Sequence, residues 1–313
     1  MEVQNNKSKF PMEVQNNKSK FPTARFESEK TSFIDDTQIV KVTQYKARPV
    51  ADVMTIKGLP RNNLKDYEKI SKNVYRNKIT GELHQYTHSE FRSEKSIKRS
   101  MRQFEKILLN NFSGADDELF VTLTTKKDIT EVSKMKQYYK GFWKKVKKDY
   151  PDLEYALVYE MHQERNSLHM HVMFKNMSQD KLNISNDKME RYWNRGKTHT
   201  TRITTTPSFF VIDEERVMSG ECKPVNEYNI DKLISYMCKY HTKENVPAGG
   251  RLYSTSRNMK LPGSTKMRYS KFKKEFHQGN SKLIDGYTTK IISNFTNETI
   301  NEILKQRWIK NKH

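Results

Sequence analysis

The stretch EYALVYEMHQERNSLHMHVMF (154–174) decides the fold of this chain. Two runs of alternating apolar residues flank the polar turn QERNS (163–167), the pattern of an antiparallel hairpin. In the second run Leu168, Met170, Val172 and Phe174 fall on one side of the strand and His169 and His171 on the other. A hairpin needs further strands and a cover for its apolar face, and the flanking sequence supplies both. ELFVTLTTKK (118–127), rich in Thr, Val and Phe, reads as a neighbouring strand. Residues 129–149 place Val132, Met135, Tyr139, Phe142, Trp143 and Val146 on one face of a helix and a dense lysine face opposite.

Further out, residues 89–111 repeat Ile97, Met101, Phe104, Ile107 and Leu108 at helical spacing, with Ser89 or Ser93 as cap. Residues 186–195 predict a helix, 198–206 a threonine-rich strand, and 229–243 a helix with Ile230, Leu233, Ile234, Met237 and Cys238 inward. The order strand–helix–strand–strand–helix–strand–helix predicts an α+β fold, an antiparallel sheet covered by helices. Residues 207–227 are expected to form a loop, and 296–310 a last helix. Residues 1–11 recur unchanged as 12–22, which reads as a duplicated start, with Met12 as a candidate first residue, rather than a repeat architecture. The expected organisation is therefore a polar, disordered 1–62 with one short strand at 50–56, a main domain at 63–262 and a basic tail at 263–313.

The 313 residues carry 58 Lys plus Arg against 37 Asp plus Glu, a formal net charge of +21. That balance favours a polyanionic partner, nucleic acid first. No apolar run approaches the roughly 18–20 residues of a membrane span, so no membrane association is expected. No apolar h-region stands in the first 25 residues, so no secretory signal is expected. Cys222 and Cys238 lack metal-type spacing and read as reduced thiols of a cytoplasmic protein in a bacterial host cell. No phosphate loop of the G-x-x-x-x-G-K-[ST] type is present, so no nucleotide cofactor is expected.

Two clusters could carry chemistry. His169 and His171 share a strand face, and Glu160 lies on the adjoining strand. A His₂Glu set suits Mg²⁺ or Mn²⁺ with open positions, and also Zn²⁺. His162 has the parity of Glu160 and is a rival third ligand or a DNA contact; a surface hairpin without any ion is the plain alternative. In YMCKYHTK (236–243), Tyr236 and Tyr240 stand just over one helical turn apart and project from one face. A phenol is a weak nucleophile at neutral pH, with a pKa near 10. A cation that polarises a phosphodiester offsets this weakness, and the product is a phosphotyrosyl bond that conserves the ester for later joining. Tyrosines at this spacing are otherwise core or stacking surface. Lys239 between them argues against full burial and could neutralise the phosphate or the leaving oxygen, though a solvated lysine is the default. The basic face that includes Lys144 and Lys148 is either simply solvated or a set of phosphate contacts beside the site. Lys243 flanks the tyrosine helix. Arg251, Arg257 and Lys260 in RLYSTSRNMKLP (251–262) suit phosphate and base contacts.

Three of these stretches, in this order, resemble the motifs of the HUH (His-hydrophobic-His) endonucleases that start rolling-circle replication. FVTLTT (120–125) is similar to the first motif, LHMHVMF (168–174) to the metal motif, and YMCKYHTK (236–243) to the tyrosine motif in its two-tyrosine form. SIKRSMRQFEKILLNNF (96–112) resembles the lead-in of initiators from phages and small plasmids of Gram-positive bacteria. Glu160, the segment 193–196 and SRNMKLP (256–262) extend the likeness, which covers about 90–262. The resemblance implies a ferredoxin-like core, with His169, His171 and Glu160 as metal ligands and Tyr236 and Tyr240 as nucleophiles assisted by Lys239. It implies nicking of a single-stranded or hairpin origin DNA, a 5′-phosphotyrosine link and recruitment of a host helicase and DNA polymerase. Relaxases and single-strand transposases share this chemistry, and a basic DNA-binding regulator without catalysis is the alternative from another class.

Overall fold

The structure, a computed structural model, describes residues 24–30, 33–58, 67–71, 74–85, 94–162, 166–205, 227–239, 252–276, 281–293 and 299–310. Strands β1 (Ala24–Glu29), β2 (Ile39–Gln44), β3 (Val50–Gly58), β4 (Tyr67–Ser71), β5 (Val74–Asn77) and β6 (Leu83–Gln85) precede helix α1 (Glu94–Asn111). There follow β7 (Glu118–Leu123), α2 (Val132–Asp149), β8 (Leu153–His162), β9 (Ser167–Asn176), α3 (Asn186–Trp193), β10 (Thr198–Thr204), β11 (Glu227–Asn229) and α4 (Ile230–Lys239). The chain continues through β12 (Tyr253–Thr255), β13 (Thr265–Arg268), α5 (Tyr269–Phe276), β14 (Ser281–Ser293) and β15 (Thr299–Lys310).

The chain divides into two units. The larger, residues 34–55, 89–286 and 305–313, is built on a six-stranded sheet in the order β11-β10-β7-β9-β8-β12. Only β10 and β11 pair parallel; the other pairings are antiparallel. Taking β7, β8, β9 and β10 as first to fourth, their order across the sheet is fourth, first, third, second. With α2 and α3 as the connections, this is the split βαβ arrangement of ferredoxin-like folds. The α+β architecture expected from the element order is therefore present.

Period-two patterning sorts the sheet into two buried faces. Leu168, Met170, Val172 and Phe174 of β9 join Met135, Tyr139, Phe142 and Val146 of α2 and Met189 and Trp193 of α3 in one core. Each fully buried side chain of this size contributes about 1.5–3 kcal/mol. On the other face Phe120, Ala156, Val158 and Met173 pack with Ile97, Met101, Phe104 and Leu108 of α1 and with Ile230, Leu233, Ile234 and Met237 of α4. The β8–β9 turn ends at Asn166, whose positive φ of 45° a short polar side chain tolerates.

Two expectations need correction. Residues 24–58 are not a disordered segment with one strand; they hold β1, β2 and β3, and Val40, Val42, Val50, Ala51 and Val53 are buried. Their alternation is carried by single valines between polar residues, too sparse to stand out in a polar stretch. Residues 299–310 form a strand, not a helix. Ile300, Ile303 and Leu304 imitate helical spacing, but tertiary partners decide: Gln306 accepts from Tyr269 Oη at 2.6 Å, Arg307 reaches Asp52 and Glu105, and Lys310 N donates to Pro49 O. In this unit β2 pairs with β13 and with residues 51–54 of β3. In the smaller unit, residues 1–33, 56–88 and 287–304, β1 pairs antiparallel with β14, and β4, β5 and β6 form a three-stranded sheet.

Candidate active site

Register brings the histidines and the carboxylate together. Glu160 stands directly opposite His169 across the β8–β9 ladder, and His171 opposite Thr122 of β7. His169 Nε2 lies 3.2 Å and His171 Nε2 2.6 Å from Glu160 Oε2, and the two Nε2 atoms are 3.0 Å apart. The imidazole planes cross at 88°. His171 is 0%, His169 6% and Glu160 7% exposed, so this is a buried cluster on a covered sheet face, not a surface hairpin. Cis ligands of an octahedral ion at about 2.1 Å stand about 3 Å apart, so one ion could take all three atoms and keep open positions. Glu160, His169 and His171 are the group among the described residues that could hold a metal.

Neighbours fix the rings. Thr122 Oγ1 lies 3.1 Å from His171 Nδ1. An Nδ1–H donated to that hydroxyl would leave Nε2 with its lone pair facing the cluster, as a metal ligand requires. Phe120 stacks on His171 with centroids 5.5 Å apart. Burial works to raise the Glu160 carboxyl's pKa, but hydrogen bonds and charge from His169 and His171 outweigh it and hold it well below the usual range.

Helix α4 delivers the phenol. Asn229 caps it, its Oδ1 accepting from Asp231 N and Lys232 N at 3.1 and 3.2 Å. Its apolar residues face the core at helical spacing, which leaves Tyr236 half-buried on the edge of that face. Tyr236 Oη lies 3.1 Å from His171 Nε2 and donates to Glu160 Oε2 at 3.2 Å. Cys238, next but one along the helix, is no rival nucleophile: burial pushes its thiol pKa far up. Tyr240, Lys243, Arg251 and the side chains of Lys239 and His162 lie outside the described residues.

The basic residues are not gathered at this site. α2 covers the sheet face opposite the histidines, so the exposed Lys144 and Lys148 do not flank the cluster. A crossover helix carries no sequence signal for the face it covers, which is why its lysines read as neighbours of the site. Arg257 and Lys260 are exposed beyond β12, beside Tyr155 rather than Glu160, about 16 Å along the strand. Thr122 and Phe120 escaped assignment to the site, although their parity, matched to the hairpin register, would have found them. The segment 193–196 proves structural: Trp193 Nε1 donates to Thr124 O at 2.5 Å, and a Cβ on Gly196 would fall 2.1 Å from that oxygen.

Residues 118–245 match the family model of the replication-associated protein ORF2. The match supports a replication initiator protein. It opens at β7 and runs past the end of α4, so Thr122, Glu160, His169, His171, Tyr236 and Tyr240 all fall inside it. No curated protein matches the chain. Among the described residues, no helix is long and apolar enough to cross a membrane.

Proposed function

We propose that this protein initiates rolling-circle replication as an HUH endonuclease of the two-tyrosine type, nicking and rejoining single-stranded or hairpin origin DNA of a phage or plasmid. The observation that carries the reading is the convergence of the Tyr236 hydroxyl with His171 Nε2 and Glu160 Oε2 at 3.1 and 3.2 Å. Glu160, His169 and His171 would hold Mg²⁺ or Mn²⁺. Bound there, the ion polarises the scissile phosphate and stabilises the charge that builds on its oxygens.

Tyr236 Oη attacks phosphorus as the bond to the 3′ oxygen breaks. In net balance the phenol's proton ends on the freed 3′ hydroxyl, and the 5′ phosphate stays on Tyr236. Tyr240, four residues on in the sequence, takes the second transfer that rejoins the strand, with Lys239 assisting. The 3′ hydroxyl primes synthesis by host helicase and polymerase. Cytoplasmic action follows from that partnership.

The test is a denaturing gel after incubation with labelled origin DNA and Mn²⁺. Wild type should give an SDS-resistant adduct, and Tyr236→Phe/Tyr240→Phe should give none. His169→Ala and His171→Ala should each lose cleavage while still binding DNA. Adducts at the wild-type level from the double Phe variant would remove the nucleophile assignment.

A further inference from the structure

Away from the histidine cluster, on the sheet face covered by α2 and α3, these two helices line a groove of about 310 Å³. Buried Phe142 and Trp193 form its floor, their rings edge to face with centroids 5.7 Å apart. Half-buried Tyr138 and Tyr192 line its walls, and exposed Lys145 and Arg195 its rim. The Arg195 guanidinium lies 4.5 Å from the Tyr138 ring centre, and Lys145 Nζ donates to the Tyr192 carbonyl at 3.3 Å.

Gly141 also lines this groove, in the middle of α2. An interior helical glycine is destabilising relative to alanine, and a close neighbour usually explains it. Here a Cβ would meet no described atom within 4 Å. The helix gives up stability to keep an opening that no described part of the protein fills, which points to an occupant from outside. Aromatic walls with a guanidinium plane suit an unstacked base, and the rim cations suit its phosphates. A volume near 310 Å³ is at the small end of ligand sites, roughly 300–1,000 Å³. A chain of net charge +21 favours an anionic occupant. A duplex keeps its bases stacked inside; a single strand can offer one.

We propose that the α2–α3 groove binds single-stranded DNA, holding a base against Tyr138 and Tyr192 and its flanking phosphates on Lys145 and Arg195. It is a second DNA contact, on the other side of the sheet from Tyr236, and it rests on the nucleic-acid part of the proposed function. The test uses the full chain in EDTA, where cleavage is silent, and anisotropy of a labelled oligothymidylate. Lys145→Gln/Arg195→Gln should weaken binding about 10-fold and lower the log–log salt slope by about 1.4, two single-strand phosphate contacts at about 0.7 each. Gly141→Ala should raise Tm by about 2 °C and still weaken binding, an opposition that a purely structural glycine would not produce.

If both variants bind within about twofold of wild type, or wild type itself does not bind, the groove does not take DNA; an acidic protein segment would then suit its cations better. Adduct formation with Mn²⁺, run in parallel on wild type, separates the two readings. An adduct with unchanged affinities overturns the groove alone, whereas lost affinities without any wild-type adduct overturn the nuclease reading alone.

Discussion

Strand β8 carries two buried glutamates six residues apart, and the protein satisfies them in opposite ways. Glu154, near its start, meets permanent partners: Lys147 Nζ at 3.1 Å and Asn258 Nδ2 at 2.9 Å. Lysine and an asparagine amide have donors to give and no metal to exchange for. Glu160, near the strand's end, meets two imidazoles and a phenol, and each of those groups can equally turn to an ion or a phosphate. Burial alone therefore does not mark a site. What marks it is a buried charge whose partners have chemistry of their own.

The sharpest way to break this contrast is Glu160→Gln. The amide keeps the volume and removes the charge, so Mn²⁺-dependent cleavage should fall by at least about 10³-fold, on the order of 4 kcal/mol of transition-state stabilisation. Direct Mn²⁺ titration should show the same loss. A Glu160→Gln protein that still cleaves at more than a tenth of the wild-type rate would leave the two glutamates alike.

Thr122→Val probes the shell behind the ligands. Valine matches the shape but gives His171 Nδ1 nothing to bond, so Mn²⁺ affinity should drop about 10–100-fold while the fold persists. Titration of Mn²⁺ by its electron-spin resonance signal reads this without relying on cleavage. Unchanged affinity would mean that Phe120 stacking and the β7–β9 register orient the ring without the hydroxyl.

Much of this contrast was legible in the sequence, and the reason is periodicity. The parity of LHMHVMF set His169 and His171 apart from the apolar residues, and the tight hairpin brought Glu160 across from His169. The 3.6-residue spacing on α1, α2 and α4 named Phe104, Phe142 and Leu233 as core. What periodicity cannot carry is tertiary choice. It did not say that α2 packs away from the histidines, or that Ile303, Leu304 and Gln306 extend as strand once Tyr269 and Asp52 hold their neighbours. Nor could it separate Glu154 from Glu160, since both are even-numbered positions of one strand; the difference lies in Lys147 and Asn258, which arrive from elsewhere in the chain.

Glu154→Gln is the smallest effect and the one that isolates structure from site. Burial pushes the Glu154 carboxyl up, but hydrogen bonds from Ser256, Lys147 and Asn258 together outweigh it, so its pKa is lowered in the folded protein. A carboxyl whose folded pKa is depressed stabilises the protein above its unfolded value of about 4.3, and that contribution fades as pH falls from there toward the folded value. At pH 7 the substitution should cost about 1–2 kcal/mol, seen as a Tm lower by several degrees. The gap between the two proteins should narrow as pH drops below about 4.3. Mn²⁺-dependent cleavage per folded molecule at pH 7 should be unchanged, because Glu154 touches neither imidazole nor phenol. A Tm gap that stays constant down to pH 3, or a cleavage loss approaching that of Glu160→Gln, would show that the two carboxylates are not divided between fold and chemistry as their partners indicate.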